Sequence, residues 1–327
     1  MREVSLLIGN GFNRLEDSDF PNWDDLIKTP VKGNSDFVDI QNMSYPLKFE
    51  YIVNFFNANK GMFASNTYTM IKRKISDRLN ERINRTDKKI DKDIASILKE
   101  IRPQNVLTTN YDCLLEKVFI SRGTNAEYSE HFCKTYEKRE YFLNKTRCLG
   151  SQDQKTNFYH VHGIDSIPSS ICLGYEHYMR IVDALRKRLI GNKSIRIIEY
   201  LKDKTKLGND FPNEYETKFF DSDVYIIGLG LTSAEIDLWW ILCYRAYLYY
   251  ANIDGAKDLI KNKIVYFDVH PTKITSDGYS YEEDYINQQK AMFKYMNIEY
   301  IPSEVKDLNF KEAYIEALKH IKDNAVK

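Results

Sequence analysis

Short runs of apolar residues alternate along the chain with longer segments whose apolar residues recur every three or four positions. The clearest runs lie at residues 4–8, 105–107, 157–160, 223–227, 263–269 and 298–301. Unbroken apolar runs are typical of strands in a parallel sheet, because helices cover both of its faces. The alternation of strands with helices predicts an α/β fold, a Rossmann-like and mainly parallel sheet with helices on both faces.

The segments between these runs have helical periodicity. They predict helices at about residues 47–56, 68–79, 90–101, 175–189, 194–201, 238–250, 285–295 and 311–321. We interpret residues 1–327 as a single domain with helical insertions at about 36–101 and 175–207. Residues 171–173 are expected to add a short strand and residues 207–219 a surface loop, whereas residues 128–156 show no clear period.

Four short polar or glycine-rich motifs follow predicted strands. They are residues 9–13 (Gly-Asn-Gly-Phe-Asn), 108–112 (Thr-Thr-Asn-Tyr-Asp), 160–163 (His-Val-His-Gly) and 228–230 (Gly-Leu-Gly). Open α/β sheets bind ligands at the carboxyl ends of their strands. The four motifs can therefore converge on one cleft.

The two glycine motifs have two interpretations. Glycine allows close backbone approach to a ligand, and free N–H groups attract phosphate. The alternative is a tight strand exit without a ligand. Residues 9–13 are not the start of a dehydrogenase fingerprint, because Arg14 occupies the third glycine position. Thr232 and Glu235 have the spacing of a capping box, which predicts that a helix starts there.

The other two motifs carry side chains suited to catalysis. Asn110 can donate to and accept from sugar hydroxyls or a water molecule, and Asp112 is expected to cap the next helix. His160 and His162 are two positions apart on a strand and can face one side. A metal pair, a histidine-triad hydrolase and a single base at His162 are the alternatives. The single base leaves His160 as a hydrogen-bonded core residue, and a histidine pKa near neutrality suits proton transfer.

Composition narrows the class of protein. The chain has 327 residues, and its 47 basic residues balance its 47 acidic residues, so no basic field favours direct binding to nucleic acid or to a membrane. The 5 cysteines form no C-x-x-C pair, which argues against a four-cysteine zinc site and fits a reducing cytoplasm. Residues 4–8 are too short for a secretory signal, and residues 238–250 contain Arg245 and are too short to span a membrane.

Taken in this order, the motifs resemble the sirtuin-like family, and more closely the bacterial sirtuin-like proteins of antiphage defence. Residues 108–112 resemble the family's asparagine motif at the nicotinamide ribose, and His162 with the following glycine resembles the catalytic His-Gly pair. Residues 228–232 resemble the later nucleotide loop, and residues 263–268 the strand whose end lies near the adenosine. The opening residues 8–13 also resemble the abortive-infection H family, a related group.

Several positions depart from the sirtuin pattern. Asn10 replaces a small residue, Gly230 stands where serine is common, and Asp268 stands where asparagine is common. The two C-x-x-C pairs of protein deacetylases are missing. Their absence implies plain NAD cleavage, without zinc, rather than acyl-lysine deacylation.

The resemblance implies an NAD glycohydrolase that cleaves the nicotinamide–ribose bond of its substrate NAD to nicotinamide and ADP-ribose. It assigns Asn110 and His162 to catalysis. The residues expected to bind the dinucleotide are Gly9, Asn10, Gly11, Asn13, Thr109, Asp112, Gly228, Gly230, Thr232, Ser233 and Asp268.

A defence enzyme of this kind must stay silent until it is triggered. We therefore expect a homo-oligomer, and a regulator such as a HerA-like ATPase or a phage-derived trigger. The first alternative is a non-catalytic sensor of NAD or ADP-ribose, or a regulatory subunit of a defence complex. A toxin that acts on nucleic acid is the second alternative, which zero net charge disfavours.

Overall fold

The computed structural model describes residues 2–15, 20–40, 43–60, 64–85, 90–119, 147–151, 154–191, 195–207, 214–269, 281–305 and 309–325. Residues 128–146, most of the segment without clear period, lie outside the described residues. So do residues 208–213 of the predicted surface loop.

Within these residues, seven strands form one sheet in the order β3-β4-β2-β1-β5-β6-β7. The strands are β1 (Val4–Ile8), β2 (Asn105–Thr108), β3 (Arg147–Ser151), β4 (Gln154–His160), β5 (Asp223–Ile227), β6 (Ile264–Asp268) and β7 (Glu299–Pro302). Strand β3 pairs antiparallel with β4, and every other pair is parallel. The sheet confirms the predicted Rossmann-like α/β fold.

Twelve α-helices accompany the sheet in the described part of the chain. They are α1 (Trp23–Lys28), α2 (Tyr45–Lys60), α3 (Ala64–Arg85), α4 (Lys92–Ile101), α5 (Glu116–Phe119), α6 (Tyr175–Leu189), α7 (Arg196–Lys202), α8 (Lys218–Asp221), α9 (Ile236–Tyr250), α10 (Ala256–Leu259), α11 (Tyr281–Tyr295) and α12 (Phe310–Ala325). None of these helices is long and apolar enough to cross a membrane.

Alternation of side chains along the strands builds a core on each face of the sheet. Leu7 and Ile226 face one side, where they pack with residues of α6–α11. Leu6 and Tyr225 face the other side, where they pack with α4, α5 and α12. Successive strand residues point to opposite faces. Continuous apolar runs therefore supply both cores at once, as expected for a sheet covered twice.

A third core lies over the segments that follow β2 and β4. Helices α1–α3 enclose it together with Tyr111, Leu114, Ile171 and Leu173. Residues 171–173 were predicted as a strand, but they form none, and this prediction is wrong. Their backbone bonds to the turn after β4, with the Cys172 N–H donating to the His162 carbonyl at 2.8 Å, while the Ile171 and Leu173 side chains enter the helical cluster.

The two glycine loops pack directly against each other. The Gly9 N–H donates to the Ile227 carbonyl at 3.2 Å, and the Gly11 N–H donates to the Gly228 carbonyl at 3.0 Å. A Cβ atom on Gly9 would lie 2.5 Å from the Gly228 carbonyl oxygen. Gly228 itself has a φ of +65°, and a Cβ there would lie 2.3 Å from the Tyr314 hydroxyl. The glycines are thus required by loop packing, which favours the strand-exit interpretation.

Replacing Gly228 by alanine is expected to destabilise the protein. The positive φ alone costs about 1–3 kcal/mol, and the clash with Tyr314 adds to it. Gly33 is the matched control, because its φ is +79° but a Cβ there would meet no atom within 4 Å. Denaturant unfolding should give a clearly larger loss of unfolding free energy for Gly228→Ala than for Gly33→Ala. Equal losses would contradict the packing argument.

Candidate functional site

Five neighbouring parallel strands end at one edge of the sheet. The strands lie in the order β4, β2, β1, β5 and β6. The residues at or just beyond their ends are, in the same order, His162, Asn110, Gly9, Gly228 and Asp268. The structure therefore brings all four strand-end motifs to the same edge, which is the geometry that the sequence predicts. Asn110 and His162 each lie two residues beyond the end of a strand, and the two strands, β2 and β4, are adjacent in the sheet.

Hydrogen bonds fix Asn110 between two strand ends. His160 donates its Nδ1–H to the Asn110 backbone carbonyl at 2.9 Å, and the Asn110 amide donates to the Gly9 carbonyl at 3.3 Å. The Thr108 hydroxyl donates to the Ile8 carbonyl at 2.9 Å and accepts the Asn110 N–H at 3.0 Å. Asn110 thus follows β2 in a rigid turn tied to both β4 and β1.

Three buried polar atoms at this edge have no hydrogen-bond partner among the described residues. They are Asn110 Oδ1, Thr109 Oγ1 and His162 Nδ1. Buried polar atoms are nearly always bonded in folded proteins. The three atoms lie just beyond the ends of two adjacent strands. They could therefore accept hydrogen bonds from water molecules or from one ligand that is rich in hydroxyl groups.

His162 is oriented by a buried carboxylate. Its Nε2 lies 3.0 Å from Asp237 Oδ1 and 3.2 Å from Oδ2, and both side chains are fully buried. In the neutral imidazole, Nε2–H donates to Asp237 and the Nδ1 lone pair stays available. The geometry therefore makes Nδ1 the proton-accepting atom, as in sites where an acid holds a histidine in one tautomer.

Sequence reasoning missed Asp237, which is 75 positions from His162. Two carboxylates, Glu235 and Asp237, begin α9 directly after the second glycine loop. An acidic residue in the first turn of a helix is usually explained by the helix dipole. The signal that could have indicated a functional acid is the presence of two carboxylates, Glu235 and Asp237, separated by one apolar residue and placed directly after the loop.

The local charges raise the pKa of His162. Burial lowers the pKa of this imidazole, but the Asp237 carboxylate, with a further contribution from Glu235, outweighs burial. Burial raises the pKa of Glu235, whose carboxylate accepts the Thr232 hydroxyl at 2.6 Å.

The predicted helix start at Thr232 is wrong by four residues. Helix α9 begins at Ile236, because the Thr232 hydroxyl bonds the Glu235 side chain rather than a helix N–H.

His160 is a hydrogen-bonded core residue. Its Nε2 lies 2.8 Å from Glu116 Oε1, and Nδ1 bonds Asn110. Burial lowers the pKa of His160, but the Glu116 carboxylate and the Asn110 carbonyl raise it more. This histidine holds the Asn110 backbone in place, and of the two histidines only His162 has a ring nitrogen without a partner among the described residues.

Asn13 and Asp112, both predicted to bind the dinucleotide, bond each other. The Asn13 amide donates to Asp112 Oδ2, and Asp112 Oδ1 accepts the Leu114 N–H at 3.0 Å. Burial raises the pKa of Asp112 to about 6. Asp112 was expected to cap a helix that starts at residue 113, but α5 begins only at Glu116.

The other predicted binding residues fall into three groups. Asn10 donates its amide to the Pro21 carbonyl at 3.0 Å, and Asp268 accepts the Tyr300 hydroxyl. Gly230, Thr232 and Ser233 are exposed on the loop before α9. The N–H groups of Gly9 and Gly11, expected to attract phosphate, are already donated to carbonyls of the neighbouring loop.

The edge is closed in this conformation. Asn110 is 5% exposed and His162 is 1% exposed. A cavity of about 900 Å³ lies nearby, lined by Arg14, residues 20–22, and residues of α1 and α3, but neither Asn110 nor His162 lines it. A ligand reaches the three unpartnered atoms only if the segments that cover them move.

Residues 104–246 match the family model of the SIR2-like domain. The matched segment begins one residue before β2 and ends within α9, so it contains Asn110, His162 and Asp237. No curated protein matches the chain.

Replacing Asp237 by asparagine is expected to lower the pKa of His162 from its raised value, because only the smaller contribution of Glu235 then opposes burial. A nuclear magnetic resonance titration of the imidazoles measures this pKa directly. His177 is the internal control: burial lowers its pKa to about 3, with no contribution from Asp237, so it should stay neutral in both proteins. An unchanged pKa of His162 would disprove the role of Asp237.

Proposed function

We propose that the chain hydrolyses NAD, because residues 104–246 match the family model of the SIR2-like domain. The domain implies NAD binding. The specific reaction that we propose is cleavage of the nicotinamide–ribose bond: NAD and water give nicotinamide, ADP-ribose and a proton.

One observation carries this proposal. Asn110 Oδ1, Thr109 Oγ1 and His162 Nδ1 are buried acceptors without a partner among the described residues, on the ends of adjacent strands. A ribose with its hydroxyl groups and an attacking water supply the O–H donors that these atoms lack. An apolar ligand would leave them unsatisfied, at a cost of about 1–3 kcal/mol each.

The chemistry requires little acid catalysis. Nicotinamide leaves as a neutral base, and the ribose becomes oxocarbenium-like, as sugars do in glycoside hydrolysis. Asn110 Oδ1 orients the water or a ribose hydroxyl, and His162 Nδ1 accepts the proton as the new C–O bond forms. Holding the reactants in this geometry supplies much of the rate enhancement.

Asp237 acts through His162. Its carboxylate keeps Nε2 protonated, so Nδ1 faces the reaction, and it stabilises the imidazolium that forms after proton transfer. The base must be neutral before the reaction. Because the pKa of His162 is raised, the rate is expected to rise with pH above the ordinary histidine range.

The remaining binding residues hold the rest of the dinucleotide. We assign the exposed loop of Gly230, Thr232 and Ser233 to the adenosine side, together with Asp268 at the end of β6. Gly9, Gly11 and Gly228 shape the backbone between the two halves, and their N–H groups are not counted as phosphate donors because Gly9 and Gly11 donate to the other loop. Asn13 and Asp112 brace that loop through their mutual hydrogen bond.

We further propose that the protein is an antiphage effector kept inactive until it is triggered. The burial of Asn110 and His162 supports such control, since the site is closed at rest. A HerA-like ATPase or a phage-derived molecule is the proposed trigger. Stacked aromatic rings on α9 support self-association: Trp240 and Tyr244 lie 5.1 Å apart, Tyr244 and Tyr247 6.4 Å apart, and Tyr247 is 58% exposed.

The same burial favours a second function, a sensor that binds NAD or ADP-ribose without cleaving it. Such a sensor needs the binding atoms but not access for water. Incubation with NAD separates the two functions. A hydrolase releases nicotinamide, whereas a sensor returns intact NAD on denaturation.

Replacing Asn110 or His162 by alanine should reduce NAD turnover by ~100- to 10,000-fold, the usual cost of losing a proton-transfer group or its partner. Nicotinamide release by purified protein is the measurement. His320→Ala and Asn324→Ala, both exposed on α12, are the matched controls and should retain full turnover. Unchanged turnover in Asn110→Ala or His162→Ala would refute these roles.

Light scattering should give the purified protein a mass at least twice that of one chain. Tyr247→Ser is expected to reduce that mass, because it removes an exposed ring from the stack on α9. Met179→Ser on α6, where the side chain is 56% exposed, should leave the mass unchanged. A single-chain mass for the unaltered protein would end the proposal of self-association.

A further inference from the structure

A cluster of three different metal-binding side chains lies next to the candidate active site. Cys113, Glu116 and His160 each place one ligand atom so that all three atoms lie within 4.8 Å of one another. Over the described residues, no second group of three His, Cys or carboxylate side chains meets this condition. None of the three side chains accepts or donates a proton in the proposed hydrolysis.

The histidine is oriented as a metal ligand would be. His160 Nδ1–H donates to the Asn110 carbonyl at 2.9 Å, which turns Nε2 towards Glu116 at 2.8 Å. Metal-bound histidines almost always donate their second ring N–H to a carbonyl or carboxylate, and this bond fixes the ring. The required outer hydrogen bond is therefore already present, on the backbone carbonyl of Asn110, three residues before Cys113.

The ligand types select the ion. A thiolate, an imidazole and a carboxylate are the ligands of zinc sites, whereas calcium and magnesium prefer oxygen atoms alone. A Cys113 thiolate and a Glu116 carboxylate carry two negative charges, which balance a divalent cation in a site where Glu116 and His160 are each 1% exposed. Three protein ligands leave a tetrahedral ion one position for water.

We propose that Cys113, Glu116 and His160 bind a zinc ion at this edge of the sheet. The ion replaces the thiol proton of Cys113 and the proton shared by His160 and Glu116, so both protons are released to solvent and no oxidation occurs. This ligand set is unrelated to the paired C-x-x-C module whose absence argued against zinc. The proposal does not depend on NAD cleavage.

The position of the ion gives it a structural consequence. Cys113 and Glu116 follow Asn110 in the chain, and His160 precedes His162 by two residues. Zinc would clamp the segment after β2 to the end of β4. It would thereby hold together the two strand ends that carry Asn110 and His162.

Cobalt binding tests the site without any activity assay. The metal-stripped full-length protein is titrated with Co²⁺, and absorbance reports the thiolate-to-cobalt charge-transfer band. We expect a band that saturates at about one ion per chain and disappears when Zn²⁺ is added, because zinc binds N and S ligands more tightly than cobalt. A protein without a saturable band would overturn the proposal.

Two variants and a control identify the ligands. Cys113→Ser should abolish the band, and Glu116→Gln should weaken cobalt binding at least ~10-fold. Cys243→Ser is the matched control, because Cys243 is an exposed cysteine on α9, and it should leave the band unchanged. Loss of the band in Cys243→Ser, or full binding in Glu116→Gln, would show that cobalt binds elsewhere. Circular dichroism establishes that each variant is folded, and Glu116→Gln decides the question if Cys113→Ser is not.

Discussion

The parallel pairing of β2 with β4 is the constraint on which the candidate site depends. In this register Thr108 lies opposite His160, and the Val161 N–H continues the ladder to the Thr108 carbonyl at 2.9 Å. The two strand ends therefore leave the sheet side by side, and Asn110 and His162 follow within two residues of that point. A shift of β4 by one residue would turn its side chains to the opposite face of the sheet and would displace His162 relative to the end of β2.

Two buried histidine–carboxylate pairs orient the groups at these strand ends. His160 with Glu116 holds the backbone of Asn110, and His162 with Asp237 presents one defined nitrogen to the site. Buried charges are costly unless each has a close partner and its remaining polar atoms are bonded. Both ring nitrogens of His160 are bonded, to Glu116 and to the Asn110 carbonyl, whereas His162 Nδ1 has no partner among the described residues. The unsatisfied atom is thus found where the proposed hydrolysis needs an acceptor.

The loops on the other side of β2 serve the same edge by packing. The loops after β1 and β5 pack so closely that a Cβ on Gly9 would meet the Gly228 carbonyl. A Cβ on Gly228 would meet the hydroxyl of Tyr314 in α12. The glycines that suggested a phosphate site are explained by this contact. In the proposed function, ligand recognition by these loops is therefore assigned to the exposed part before α9.

The sequence by itself determined six of the seven described strands, all except β3, together with their alternation with helices and the polar or glycine-rich motif after each of four strands. It did so because a strand that helices cover on both faces of a parallel sheet is mostly apolar along its length, and the polar or glycine-rich motif begins where that strand ends. Tertiary structure decided the rest. It chose Asp237 as the partner of His162 across 75 positions and Glu116 as the partner of His160 across 44, and it turned residues 171–173 into a loop. No local pattern encodes these outcomes, because a partner is set by the order of strands in the sheet and not by spacing along the chain.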